Sequence, residues 1–280
     1  MPKRRAPAKP GASAAQPAPA KMQPLDRLGL RSLAARLGQS PLAKLNWSLI
    51  TLLAITTGAL LVRLHGLNWD DNQHQHPDER AIISTVVNFK WPHSWAEFFS
   101  VSSPLSPHFS DGSHFFAYGT FPMYVLWQVA VFLTWLQHTF GFHWLPAGQA
   151  FTDYDPVTLV GRALSALFDT GTVVVAYFLG KRLGGKVAGL FAATCVAFIP
   201  FEVQLSHYFA VDTALTFFVA LALLCFVAIA QEGKLHWVVL GGVASGLALA
   251  SKFSALPLLL PLGVAYLLLW RRTGLFATLP

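Results

Sequence analysis

Apolar residues along the chain gather into runs that are too long and too continuous for a soluble fold. Six runs have the composition of membrane-spanning helices, several at the short end of the roughly 17–25 residues that a crossing needs. They are residues 47–64, 158–180, 187–201, 213–230, 237–250 and 255–270. A seventh run, 121–142, is interrupted by Trp127, Trp135 and His138, which is typical of an interfacial or re-entrant helix. The pattern predicts an all-α membrane protein, a polytopic helical bundle.

Charges between the runs predict the orientation of the bundle, because loops rich in lysine and arginine stay in the cytoplasm. Nine of the 20 lysines and arginines precede residue 46, whereas residues 65–157 carry eight acids and two basic residues. If run 121–142 does not cross, all later basic clusters fall inside: Lys181-Arg182-Lys186, Lys234 and Arg271-Arg272. We therefore predict six crossings of a cell (plasma or inner) membrane, a cytoplasmic N-terminus and an extracytoplasmic first loop, 65–157.

Composition agrees with this interpretation and divides the chain. Hydrophobic residues make up 54% and charged residues 12%, against about 25% charged in soluble domains. Residues 1–24 are rich in proline and alanine and are predicted to be a disordered basic tail, followed by an amphipathic cytoplasmic segment, 25–46, and a transmembrane domain, 47–280. The net charge is +7, and most of the basic residues outside the N-terminal segment lie at the ends of apolar runs. Membrane lipids, and not nucleic acid, are therefore the predicted partners.

The first loop is much longer than a connector, and it holds eight of the ten histidines. Its central motif is His76-Pro77-Asp78-Glu79, in which proline suits the first turn of a helix and the two acids face its positive end. The motif has three open interpretations. The acids stabilise a helix terminus, or they perform chemistry, or His76 and Asp78 contribute to a divalent metal site for Mn, Mg or Zn.

Two surface helices are predicted in this loop. The first starts at Pro77 and carries Ile82, Val86 and Phe89 on one face, which indicates a helix lying along the membrane surface. The second starts after Ser94, where serine followed three residues later by Glu97 forms a capping box. Asp70 and Asp71 before them are interpreted as solvated loop charges.

Further charged residues lie on the same predicted side of the membrane. Asp212 precedes a span, where it either caps a helix or belongs to a site. Lys252 and Arg162 are placed against the positive-inside rule, so they either form an anion site or pair with neighbouring carboxylates. Asp169 lies within a span, where a carboxylate is a functional candidate or makes a structural hydrogen bond.

The order of these features resembles a known superfamily. The matching stretches, which together cover about residues 60–255, are 76–79 (HPDE), 118–124 (YGTFPMY), 161–167 (GRALSAL), 177–183 (YFLGKRL), 206–212 (SHYFAVD) and 251–253 (SKF). The chain is similar to the GT-C superfamily of polyprenyl-phosphate-dependent glycosyltransferases, in the protein-O-mannosyltransferase and aminoarabinose-transferase-like group. The resemblance implies a GT-C-like fold and a chain that is the N-terminal portion of a longer one.

The resemblance also implies a reaction and roles for particular residues. Asp78 matches the catalytic base, with Glu79 beside it, and Asp212 matches a second acidic position. An acceptor hydroxyl on a protein, lipid or glycan would attack the anomeric carbon of a lipid-phosphate sugar. Cations would then stabilise the leaving phosphate, for which Lys252, Arg162 and His207 are the candidates. The alternative function is a non-catalytic GT-C-like subunit or a transporter module.

Overall fold

The structure, a computed structural model, describes residues 46–108, 112–114, 117–142, 144–146 and 148–274. Its helices are α1 (Trp47–Leu64), α2 (Pro77–Val86), α3 (Trp95–Phe98), α4 (Phe121–Phe140), α5 (Tyr154–Phe198), α6 (Pro200–Leu205), α7 (Val211–Glu232), α8 (Leu235–Ser251) and α9 (Leu259–Thr273). A 3₁₀-helix, Phe253–Leu258, leads into α9. Within the described ranges the only β-pairing is an isolated bridge between His108 and His114. The predicted all-α class is confirmed. The predicted segment 1–24, and the predicted segment 25–46 except for Asn46, lie outside the described residues.

In the described part of the chain, four helices are long and apolar enough to cross a membrane: Trp47–Leu64, Tyr154–Phe198, Val211–Glu232 and Phe253–Thr273. The helix α8 is equally apolar but shorter, and α4 does not reach the same hydropathy. All six runs predicted as spans are helical, and two of them are merged in α5. The number of crossings therefore depends on how α5 is divided, and six crossings stays a prediction.

The 45-residue helix α5 is two helices joined at a sharp break. At Gly185 the backbone has φ 82° and ψ −175°, a conformation that side chains with a Cβ rarely adopt. Tyr177 before the break and Ala193 after it pack in one buried cluster, although 16 residues of continuous helix would separate them by about 24 Å. The two arms, 154–184 and 186–198, therefore fold back on each other, as expected for two of the predicted spans.

A buried arginine joins α1 to both arms of α5. Arg63 is fully buried, and its Nε donates to Oδ2 of Asp169 at 2.6 Å, while its Nη1 donates to the carbonyl oxygen of Ala197 at 2.8 Å. A charge in an apolar environment is tolerated when it is paired and hydrogen-bonded, and this ion pair meets that requirement. Of the two interpretations of Asp169, the structure shows the structural one.

The first loop folds onto the bundle through α2 and α4. The apolar face of α2 is buried: Ile82 and Val86 are at most 1% exposed and pack with Met123 and Leu126 of α4. Protein, namely α4, therefore covers this apolar face, and the position of α2 along the membrane surface stays a prediction. The predicted helix starts are correct, with Pro77 opening α2 and the Ser94 hydroxyl accepting from the Glu97 N–H.

Candidate active site

Three charged residues that are distant in sequence form one buried network. Arg162 of α5 donates two hydrogen bonds to Glu79 of α2, at 2.9 and 2.7 Å, and two to Asp70 of the preceding loop, both at 2.9 Å. Its Nη1 also donates to the carbonyl oxygen of Leu67. All three charged side chains are at most 1% exposed. The network therefore fastens the start of the first loop to the bundle.

This network changes the interpretation of its members. Asp70 is a buried ion-pair partner and not the solvated loop charge predicted from the sequence, and the hydrogen bond from Arg162 lowers the pKa of its carboxyl group. Both oxygens of Glu79 accept from Arg162, and Oε1 also accepts from the Phe209 N–H at 2.8 Å. Arg162 is thus paired with two carboxylates, Asp70 and Glu79, as the second of the two predicted alternatives for Arg162 has it.

The side chain of Asp78 points away from the network that binds its neighbour Glu79. Consecutive helix residues point about 100° apart, so when Glu79 faces the Arg162 network, Asp78 faces elsewhere. Asp78 is half-buried and forms a hydrogen bond with Tyr118 in the segment before α4. Burial, this hydrogen bond and the charges of Asp78 and Asp212 raise the pKa of the Tyr118 phenol to about 12. Tyr118 therefore stays a neutral donor to Asp78 at physiological pH.

A second carboxylate and a lysine also lie close to Tyr118. The Nζ of Lys252 donates to Oδ1 of Asp212 at 2.8 Å and lies 5.1 Å from the centre of the Tyr118 ring. Both side chains are about one-third exposed. The helix cap of α7 is Ala210, so Asp212 is in the first turn and does not act as the predicted N-cap. Tyr118 therefore brings Asp78, Asp212 and Lys252 to one place.

A main-chain contact fixes the segment that carries Tyr118. The Gly119 N–H donates to the carbonyl oxygen of Ser251 at 3.0 Å, at the end of α8 and next to Lys252. A Cβ on Gly119 would lie 2.0 Å from the carbonyl oxygen of Ala250, so no other residue fits this approach without displacing the backbone. Glycine at position 119 is therefore required for the contact between Tyr118 and Lys252.

His76 and His207, predicted to bind a metal and a phosphate respectively, contact other parts of the protein. The ring of His76 stacks on Tyr208 at 4.3 Å, and its Nδ1 accepts from the Glu79 N–H at 3.4 Å, as a cap of α2. The ring nitrogens of His207 contact the carbonyl oxygens of Val203 and His65, at 2.7 and 3.0 Å. Both nitrogens are thus engaged by main chain, which speaks against phosphate binding by His207.

The predicted metal site at His76 and Asp78 does not fit the structure. In the part of the chain that the structure describes, no three His, Cys, Asp or Glu side chains are grouped to hold a metal ion. His76 directs its Nδ1 to its own helix, and Asp78 binds Tyr118.

Sequence reasoning identified Asp78, Asp212 and Lys252, which the structure brings together, and missed Tyr118. Tyr118 lay in one of the stretches that carry the resemblance, but an uncharged residue in a loop gave no reason to assign it a role. Its position directly before a glycine and a proline-containing helix start was the available signal.

The helical bundle, the long first loop folded on it and the acidic site at their junction define a membrane protein of the GT-C fold. The chain belongs to the dolichyl-phosphate-mannose-protein mannosyltransferase family, whose sequence profile matches residues 137–278, just over half of its length. The predicted relationship to GT-C glycosyltransferases is thereby confirmed. The profile covers Asp212 and Lys252, and it begins after Asp78 and Tyr118.

A solved structure extends the likeness to the first loop. The structure of the S. cerevisiae protein O-mannosyltransferase Pmt1–Pmt2 complex bound to the sugar donor matches with a TM-score of 0.57 and 19% sequence identity. The match covers 88% of this chain and 31% of the yeast chain, so the present chain spans about a third of that protein. At this identity the likeness concerns the fold. No curated protein sequence matches the chain.

Proposed function

We propose that this chain forms the catalytic part of a membrane glycosyltransferase. It transfers a sugar from a polyprenyl-phosphate donor to an acceptor hydroxyl on the extracytoplasmic side, with Asp78 as general base. The observation that supports this most is the contrast within the Asp78-Glu79 pair. Glu79 is ion-paired with Arg162, whereas Asp78 is half-buried and bonds to the neutral Tyr118, whose ring lies beside Lys252.

The reaction follows from these positions. The acceptor oxygen attacks the anomeric carbon and transfers its proton to the Asp78 carboxylate as the new glycosidic bond forms. The bond between the anomeric carbon and the phosphate oxygen breaks, and the lipid phosphate leaves with the electron pair. Lys252 has N–H groups beyond the one that Asp212 engages, and these stabilise the phosphate. A single displacement of this kind inverts the anomeric centre.

The remaining predicted residues receive positioning roles in this proposal. Asp212 orients the ammonium group of Lys252, and Glu79 fixes the first turn of α2, and with it Asp78, against Arg162. The Phe209 N–H bond to Glu79 holds the start of α7, three residues before Asp212, against the same turn. Arg162 and His207 are thus not part of the proposed phosphate site.

The role of Lys252 is tested by removing its charge. We expect Lys252→Gln to lower kcat roughly 10²-fold in a transfer assay with radiolabelled polyprenyl-phosphate sugar, because a cation at the leaving phosphate stabilises the transition state. The substitution also leaves Asp212 without its partner, so the double variant with Asp212→Asn is measured in parallel. The loss should persist in the double variant.

The matched control is Lys234→Gln, since Lys234 also pairs with a carboxylate, that of Glu232, at 2.9 Å. Lys234 lies in the turn between α7 and α8, at the far end of both helices from Asp212 and Lys252. This variant should transfer sugar at the wild-type rate. If Lys252→Gln and Lys234→Gln behave alike, Lys252 does not contact the phosphate.

The proposed side of the membrane is tested by cysteine labelling. In a chain with Cys195 and Cys225 replaced, we expect Lys181→Cys, near the break in α5, to react with an impermeant maleimide only after the membrane is opened. A cysteine at position 101 serves as the control, because Val101 lies in the first loop and is 89% exposed. It should react in intact cells. Labelling of position 181 from outside would refute the six-crossing orientation.

A further inference from the structure

A separate cavity of about 440 Å³ lies in the first loop beside α4. None of Asp78, Tyr118, Asp212 and Lys252 lines it. The residues that characterise its wall are Trp91, Tyr124, Trp127, Gln128, Ser103 and Ser106. Its volume is within the range of about 300–1,000 Å³ that is usual for small-molecule sites. The cavity is therefore large enough for a ligand of its own.

Among the residues that the structure describes, no charged side chain lines this cavity. A lipid phosphate or another anion needs a cation or several convergent N–H groups, and a carboxylate or ammonium ligand needs its opposite charge. The cavity therefore selects a neutral ligand, in contrast to the site at Lys252 and Asp212.

Several polar groups of the wall are without a hydrogen-bond partner in the described part of the chain. Within the described ranges, the amide of Gln128, the hydroxyl of Ser106 and the indole N–H of Trp127 make no hydrogen bond to another residue. Gln128 is an exposed amide in the middle of the apolar helix α4, and Trp127 is 5% exposed. These groups offer both donors and acceptors to a polar ligand.

Aromatic rings form the apolar part of the wall. Trp91 is 58% exposed, and its ring lies 4.9 Å from that of Trp127 at an angle of 53°. Broad aromatic faces beside uncharged hydrogen-bonding groups suit a ligand with one apolar face and a rim of hydroxyls. A pyranose ring has this character, since its C–H face stacks on indole while its hydroxyls bind amide and hydroxyl groups.

We propose that this cavity binds a neutral hexose unit of a glycan acceptor. As an acceptor subsite it rests on the function proposed above, and it specifies a glycan among the acceptor classes. The cavity and the proposed base lie towards opposite ends of α2: Asp78 and Val86 are about 12 Å apart along the helix, and Trp91 follows Val86 by five residues. The bound unit is therefore remote from the hydroxyl that reacts.

The proposal is tested by calorimetric titration of the full chain in lipid nanodiscs with mannotriose and cellotriose, and with trigalacturonate as an anionic comparator. We expect at least one neutral trisaccharide to bind, and trigalacturonate to bind more weakly. Trp91→Ala and Gln128→Ala should each weaken binding about tenfold, because each removes a central contact. Both residues are exposed, so neither substitution is expected to prevent folding.

Two controls separate this proposal from the proposed function. Trp135→Ala removes another half-exposed tryptophan of α4 that does not line the cavity, and Asp78→Asn removes the proposed base; both should leave binding unchanged. Failure of both neutral trisaccharides to bind, equal binding of trigalacturonate, or undiminished binding by both cavity variants would overturn the acceptor site. Loss of binding in Trp135→Ala would do the same. Full transfer activity in Asp78→Asn, with binding as expected, would overturn the proposed base alone.

Discussion

Asp78→Asn is expected to lower sugar transfer by roughly 10²–10⁴-fold, the usual contribution of a general base. Asparagine has nearly the same shape and still accepts the hydrogen bond from Tyr118, so the chain should insert and fold as before. It cannot take the proton of the acceptor hydroxyl. The measurement is single-turnover transfer from radiolabelled polyprenyl-phosphate sugar in vesicles, with protein amount and melting temperature determined in the same preparations.

A neighbouring residue provides a matched control for this experiment. Asp71→Asn makes the same chemical change in the same loop, at a residue that is exposed. It should leave transfer unaltered. The assignment of Asp78 fails if its asparagine variant is folded and transfers sugar at the rate of the Asp71 variant. Glu79→Gln is no suitable control, since it would disturb the Arg162 network.

Arg162→Met should have the largest effect on stability. The substitution leaves Asp70 and Glu79 buried without a cation, and removing one partner of a buried ion pair costs about 3–5 kcal/mol. The start of α2 and the start of α7 would both lose their attachment, because Glu79 joins them through Arg162 and the Phe209 N–H. We expect the thermal midpoint of the detergent-solubilised chain to be strongly lowered. The measurement is fluorescence-detected size exclusion after heating.

The control is another arginine ion pair with a different environment. Arg182 pairs with Glu232 at 2.7 Å, but the two side chains are 23% and 27% exposed. Pairs that are open to water contribute about 0–1 kcal/mol, so Arg182→Met should shift the midpoint little. Equal shifts in the two variants would contradict the special role of the Arg162 network. Rescue of Arg162→Met by neutral Asp70→Asn and Glu79→Gln would support it.

The sequence predicted those parts of the molecule in which a local pattern determines the outcome. Lipid requires long apolar runs, so the six apolar runs that are helical in the structure were recognisable, and the caps at Pro77 and Ser94 follow from backbone requirements of a helix start. The common location of Asp78, Asp212 and Lys252 was accessible because charge asymmetry assigns loops to one side of a membrane.

Pairings between distant residues were not predictable in the same way. Arg162 lies 83 residues from Glu79 and 92 from Asp70, and nothing in their local sequences indicates that one arginine serves both. The same holds for His207, whose partners are main-chain carbonyl oxygens, which every residue carries. The burial of the apolar face of α2 depended on α4 as a partner, and an amphipathic pattern does not distinguish protein from lipid.

The hydrogen bond from Gly119 to Ser251 joins two of the chain segments that form the proposed site. One segment, with Tyr118, holds the base; the other, at the end of α8, holds the lysine. Because this connection consists of main chain alone, it does not depend on which side chains surround the two segments. Side chains around the proposed site can therefore change without breaking this connection. The side chains that would select the sugar can thus vary separately from the proposed catalytic residues, as long as glycine at position 119 keeps the two segments in contact.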